Sequence, residues 1–376
     1  MTSINYSDIP SFLHNSSFYE TLCDSQVDGN IQIPEQCIVF NDEVRDLTDF
    51  TNLMKVSAFW GLTRIPVSII SFCHDNPFEL WSGLLLDEFA DVDFAQDLVA
   101  CFDPVAWPPG IVHAIQVGRT ELVEFFAGQP NASADGITTA AFHGRVDYIE
   151  LLRQNNHPWN AKACQRATEG GHLPCLQFLF EQGCPWDKTV HLTAAEIGRL
   201  DCMKYALSQG LALDGSIPYI AAAEGHINIL QFAVSQGLSI DAATIDAAAF
   251  NGRLDCLQYL LGLGCEATAT TCQKTCLHGH LECLKLLHVS RVPWNISAMH
   301  AAARGGYLHC IVYLHENGCP WDENTCEFAA EGGHVECLQF FHQNGCPWNV
   351  GTTQAAAQKG SVETLRYAIE NGCPYD

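Results

Sequence analysis

Glycine recurs at positions 144, 171, 198, 225, 252, 279, 306, 333 and 360, and every interval is 27. A period held through nine copies without insertion or deletion constrains this chain more than any local motif. Periods of about 20 to 50 residues arise when one supersecondary unit cannot bury its own apolar face and must stack on copies of itself. Gly118 opens an earlier, looser unit, one residue short of the period.

With the periodic glycine numbered 11, the unit runs from position 1 (residue 134 in the first copy) to 27. Positions 7 and 8 are small in nearly every copy, as in Ala194-Ala195, Ala248-Ala249 and Ala329-Ala330. Positions 13, 15, 16, 18 and 19 are mostly apolar, as in Leu254, Cys256, Leu257, Tyr259 and Leu260, which is helical spacing. Position 23 is usually a second glycine. Position 27 is Asn160, Asp187, Asp214, Asp241, Thr268, Asn295, Asp322, Asn349 or Asp376, all helix N-cap types. The spacing predicts a first helix ending near position 10 and stopped by glycine in the left-handed conformation, where a Cβ is resisted. A second helix of about ten residues follows, then a short link whose last residue caps the next first helix.

The stretches AAARGGYLHCIVYLHENG (301–318) and AAEGGHVECLQFFHQNG (329–345) resemble the A-A-x-x-G-H-x-x-x-V-x-x-L-L-x-x-G signature of the ankyrin repeat. The usual ankyrin repeat has about 33 residues. Here six are missing, where the β-hairpin finger lies, and the T-P-L-H opening is also lost. The short GCPWD form looks like the ankyrin-type arrays of protists and large DNA viruses. The resemblance implies an all-α solenoid without fingers: nine repeats over 134–376, a degenerate opening repeat over 108–133, and a separate, mainly helical domain over 1–107. It also implies protein recognition on the concave face, to which positions 1, 5, 9 and 10 contribute. Leu192, Ile197, Tyr219, Phe250, Leu277 and His278 occupy those positions in consecutive central copies, rimmed by Glu196, Glu224, Asp246, Glu327 and Glu331. Two readings of this stripe stand side by side: a partner-binding hot spot, or a covered seam between first helices.

Cysteine and histidine invite a chemical reading. Histidine follows the periodic glycine at His172, His226, His280 and His334, and cysteine stands three residues after it at Cys175, Cys283 and Cys337. Position 24 adds Cys184, Cys265, Cys319, Cys346 and Cys373. One helix face could present such a pair to a metal. Against this, positions 15 and 24 lie about 13 Å apart along a helix, and equivalent cysteines in neighbouring copies stand about 10 Å apart. Disulfides need Cα atoms within about 7 Å. The copies also interchange these cysteines with Leu211, Leu238, Val292 and Ile229, which a ligand does not tolerate and a small buried side chain does. The expected role is core packing, with no metal and no cofactor. Two pairs, Cys265 with Cys272 and Cys319 with Cys326, stand close enough in sequence to approach each other. A Cys–His nucleophile is disfavoured for a similar reason: it would recur in several units, with no orienting third group. No phosphate-cradling loop, HExxH or GxSxG occurs, so enzyme activity is not expected.

The net charge of −25 disfavours nucleic acid and anionic membranes as partners and favours a protein with a basic or mixed surface. Residues 1–107 hold 17 of the 43 acidic and three of the 18 basic side chains. The 19 cysteines, with no secretory pattern at MTSINYSDIP and no long apolar run, point to a reducing compartment, cytoplasm or nucleus.

Residues 1–107 lack the period. SSFYETL (16–22), a strand-like IQIP (31–34), the helix-like LTDFTNLMKVSAFWGLTRIPVSIISF (47–72), LWSGLLLDEF and FAQDLVACF follow in order. Over residues 12–80 this is similar to part of a BTB fold, with Leu53, Ser57 or Ala58, Phe59, Leu62 and Ile65 standing in for its L-x-x-A-x-x-L-x-(I/V) pattern. That resemblance implies a substrate adaptor docking on a cullin-type ubiquitin-ligase scaffold. The alternative is a helical cap that seals the first repeat. At the other end, Lys359, Ser361, Thr364 and Arg366 make the last copy more polar, as a capping repeat requires.

Overall fold

The computed structural model describes residues 2–5, 26–27, 30–33, 108–129 and 133–375. The chain divides into two compact units, residues 1–186 and 187–376. The division falls between two copies of the repeat.

The first unit holds three short strands, β1 (Thr2–Asn5), β2 (Gln26–Val27) and β3 (Asn30–Ile33), in an antiparallel sheet of order β1-β3-β2. Thr2 pairs with Ile33, and Gln26 with Ile31. The strand-like segment of the sequence therefore falls on β3. The helices expected between 47 and 107, and the BTB reading apart from β2 and β3, lie outside the described residues. The unit continues with α1 (Pro108–Val117) and α2 (Thr120–Ala127), then α3 (Ala134–Phe142) and α4 (Val146–Gln154), and α5 (Ala161–Gly170) and α6 (Leu173–Glu181).

The second unit is a solenoid of seven helix pairs. Their first helices are α7 (Thr189–Ile197), α9 (Ile217–Glu224), α11 (Ala242–Phe250), α13 (Ala269–Leu277), α15 (Ile296–Gly305), α17 (Glu323–Gly332) and α19 (Val350–Lys359). Each is followed by a second helix: α8 (Leu200–Ser208), α10 (Ile227–Ser235), α12 (Leu254–Gly262), α14 (Leu281–Val289), α16 (Leu308–Glu316), α18 (Val335–Gln343) and α20 (Val362–Glu370). Among the described residues no strand lies between pairs, so the finger is absent and the repeats are all-α.

Within each unit neighbouring first helices pack closely along their length, and second helices pack mainly on their own partner. Close approach demands small residues, and Ala194, Ala195, Ala221, Ala222, Ala248, Ala249, Ala302, Ala303, Ala329 and Ala330 are wholly buried. Behind them positions 15, 16 and 19, for example Cys256, Leu257 and Leu260, form the layer between the two rows.

Both glycine stops operate as the sequence predicts. At the end of α5, His172 N–H bonds Ala167 O and Gly171 N–H bonds Thr168 O, both at 2.9 Å, the paired bonds of a left-handed helix stop. The position-27 carboxylates and amides accept from the start of the next helix: Asp241 from Thr244 N (2.9 Å), Asn295 from Ser297 N (3.0 Å), Asp322 from Thr325 N (3.1 Å). Two first helices begin later than position 1. α7 starts at Thr189, and α9 starts at Ile217 after Gly215, a poor helix former, with Pro218 in its first turn. Asp187 and Asp214 still accept from the backbone of Thr189 (2.9 Å) and Ser216 (3.0 Å).

Candidate interaction surface

The first-helix stripe divides into two classes. Tyr219, Phe250 and Leu277 are exposed, at 47%, 37% and 40%, in three consecutive repeats. His278 is exposed beside them and meets the Phe250 ring edge-on at 4.1 Å between centroids. Leu192 and Ile197 are half-buried. The acidic rim is partly engaged: Asp246 takes Lys274 Nζ and Thr271 Oγ1 at 2.7 Å each, Arg304 holds Glu331 at 2.9 Å, and Arg253 lies 3.7 Å from Glu224. Glu196 and Glu224 are exposed at the edge of the apolar group.

The nine periodic glycines, Gly144, Gly171, Gly198, Gly225, Gly252, Gly279, Gly306, Gly333 and Gly360, all have positive φ, between 66° and 86°. Several carry a second constraint that the sequence does not reveal. The histidine after the next glycine lays its ring over this one: a Cβ on Gly198 would lie 2.7 Å from His226 Nδ1. That ring then donates from Nε2 to the backbone of the previous repeat, His226 to Glu196 O (3.0 Å), His280 to Phe250 O (3.0 Å) and His334 to Arg304 O (3.1 Å). Arg253 Nε makes the same bond to Ala223 O (2.9 Å). The Gly-His dipeptide is thus a clip between repeats.

The GCPWD link is built of packing and hydrogen bonds. Each tryptophan is half-buried and lies on the side chain at position 20 of its own second helix. Trp186 stacks on Phe180, Trp321 on His315 and Trp348 on His342 with centroids 4.1 to 4.2 Å apart, and Trp294 lies tilted over His288 at 4.2 Å. Trp159 takes the Arg153 guanidinium at 3.9 Å. The position-18 residue of the following repeat closes the edge: Tyr313 beside Trp294 and Tyr367 beside Trp348, each hydroxyl hydrogen-bonded to the stacked histidine. The position-24 thiol donates to the carbonyl of the position-27 residue that closes the preceding repeat and caps the thiol's own first helix: Cys184 to Asn160 O and Cys319 to Asn295 O (3.5 Å), Cys346 to Asp322 O and Cys373 to Asn349 O (3.3 Å). His157, at the same position, reaches Ser133 O and Ala127 O.

Of the fifteen described cysteines fourteen are buried and none is in a disulfide; Cys265 is half-buried. Burial pushes the thiols of Cys175, Cys256 and Cys283 up to about 11 and those of Cys202, Cys310 and Cys337 up to about 12, far from the thiolate a nucleophile or ligand requires. Among the described residues no three His, Cys, Asp or Glu side chains converge as a metal ion would need, and no helix is long and apolar enough to cross a membrane.

Residues 244–325 match the family model for ankyrin repeats, in three copies. They are ankyrin repeats. The ankyrin repeat domain of human ASB11 is similar over 49% of this chain and 98% of its own length, at 21% identity and a TM-score of 0.41. No curated protein matches the chain. Ankyrin repeats are protein–protein interaction modules, of a fold that typically binds rather than catalyses.

Proposed function

We propose that the chain is a non-catalytic recognition module that holds a partner protein on the first-helix face around Tyr219, Phe250 and Leu277. The observation that carries the reading is the exposure of three large apolar side chains on the first helices of three consecutive repeats, Tyr219 at position 5 and Phe250 and Leu277 at position 9. A seam between helices would bury them, as it buries the alanines on either side. Tyrosine and phenylalanine bring large contact area at small entropic cost, which is why aromatic residues dominate binding hot spots. Glu196 and Glu224 at the edge, together with the net charge of −25, favour a partner surface that is basic or mixed.

The test is affinity capture with the full chain against a Tyr219→Ala/Phe250→Ala variant, with identification of the captured proteins and thermal melts of both baits. A partner lost from the variant while its melting temperature stays within about 2 °C supports the reading. Unchanged capture, or a melting temperature lowered by about 8 °C or more, overturns it in favour of a structural seam.

A further inference from the structure

Position 26 of the repeat is Trp159, Trp186, Leu213, Ile240, Ala267, Trp294, Trp321, Trp348 or Tyr375. Eight of the nine are large, and Ala267 is the exception. The two surfaces that cradle this side chain are defined by the neighbouring copies: position 20 of the same repeat beneath it, and position 18 of the next repeat at its edge. At Ala267 these positions are Leu261 and Leu286, and both line an open notch of about 480 Å³. Val292, Pro293 and the one described cysteine that is not buried, Cys265, complete its walls, with Glu266 and Arg291 at its mouth. The link here reads CEAT where those at 184–187 and 319–322 read CPWD, so it has neither their proline nor their indole.

We propose that this notch receives an aromatic side chain of indole size from an extended segment of a partner protein, taking the place the chain's own tryptophan fills elsewhere. Leu261 and Leu286 supply an apolar seat between polar walls, at the places where His288 and Tyr313, or His342 and Tyr367, hold the tryptophan in the repeats on the C-terminal side. The rim carries further apolar surface: Leu263, 47% exposed, sits between lining residues Gly262 and Gly264, and Val289, 79% exposed, precedes Ser290. That extra surface favours a ring carried on a chain over a free one. Arg291 and Glu266 offer one charge of each sign to the residues beside the ring. The site is separate from the Tyr219 face, and only the identity of its occupant rests on the protein-binding reading.

Ligand-observed saturation-transfer NMR on the full chain, with N-acetyl-tryptophanamide, N-acetyl-leucinamide and free indole as probes, tests it. The expected result is transfer to the indole protons of the tryptophanamide, at least fivefold above the leucinamide, and no weaker than to free indole. The Ala267→Trp variant should abolish that transfer and melt about 4 °C higher. In the unsubstituted protein, where no variant need fold, the tryptophanamide should slow alkylation of Cys265 by iodoacetamide, read by peptide mapping. Equal transfer to leucinamide, retention of the signal in Ala267→Trp, or an unchanged Cys265 rate would overturn the site. Preference for free indole over the amide would overturn the partner segment and leave a small-molecule pocket. None of these readouts depends on the Tyr219 face, so failure of one reading leaves the other standing.

Discussion

Gly198 and Gly210 end the two helices of one repeat, with φ of 79° and 90°. They differ in what lies outside. A Cβ on Gly210 meets nothing within 4 Å, whereas one on Gly198 would stand 2.7 Å from His226 Nδ1. Gly210→Ala therefore carries only the backbone penalty, about 1–2 kcal/mol for an alanine held left-handed, offset by about 0.4–1 kcal/mol through a stiffer unfolded chain. The net loss is about 1 kcal/mol. Gly198→Ala carries the same loss and also displaces the imidazole that donates to Glu196 O at 3.0 Å. That displacement adds about 1 kcal/mol for the bond and about 1–2 kcal/mol for the overlap. For a unit of this size about 1 kcal/mol moves the melting temperature by about 2–4 °C. Circular dichroism melts should show Gly210→Ala lower by about 3 °C and Gly198→Ala by about 10 °C. Adding His226→Ala to Gly198→Ala should recover part of the difference, because the ring is the obstacle. Equal losses for the two glycines, or a double variant less stable than Gly198→Ala alone, would refute the clip.

Three further outcomes follow from the same geometry. His191 is wholly buried, donates from Nδ1 to Ala212 O at 3.2 Å, and leaves Nε2 without a hydrogen-bond partner among the described residues. Burial holds its pKa below 6.5, so the folded form resists the proton and stability falls as pH drops below 6.5; His191→Cys, the residue found at the equivalent Cys164, Cys272 and Cys326, should give a shallower fall in melting temperature between pH 7 and pH 5. Timed alkylation of the native protein with peptide mapping should find Cys265 modified first among the fifteen described cysteines, with Cys175, Cys256 and Cys310 reacting only in denaturant; simultaneous labelling would contradict the burial. Trp321→Ala removes the half-buried ring stacked on His315 and should cost about 2 kcal/mol, seen as a drop of about 6 °C, while Trp321→Phe should keep most of it.

The repeat was legible because its signals are local and redundant. Nine glycines in register, paired alanines and capping residues each state the same helix–turn–helix, and a solenoid needs no long-range pairing to be inferred. What stayed hidden required geometry between copies. His226 and His280 looked like ligand candidates because spacing within one repeat says nothing of the backbone carbonyl that waits in the copy before. The position-24 cysteines read as small apolar fillers; all but Cys265 are buried, but the thiols of Cys184, Cys319, Cys346 and Cys373 also donate a hydrogen bond back to the last residue of the preceding repeat. Of the stripe, the sequence named Tyr219, Phe250 and Leu277 together with Leu192 and Ile197, and only exposure separates the first group from the second. The gap at Ala267 was visible as a letter. Its meaning depended on knowing that Leu261 and Leu286 face each other across the missing ring.

Two ties hold this array, and neither reaches far. The thiol at position 24 and the imidazole at position 12 each reach only the repeat before, the thiol to its position 27 and the imidazole to its position 9. Both partners are backbone carbonyls, which every residue supplies. Excision of residues 242–268 would leave His280 facing the carbonyl of Ala223, where it now faces that of Phe250, and duplication of the same block would offer it Phe250 again. Copy number is therefore a free variable of this architecture. A genome that slips by whole repeat blocks lengthens or shortens the protein while keeping these backbone-directed ties, and each change re-spaces the side chains that a partner meets.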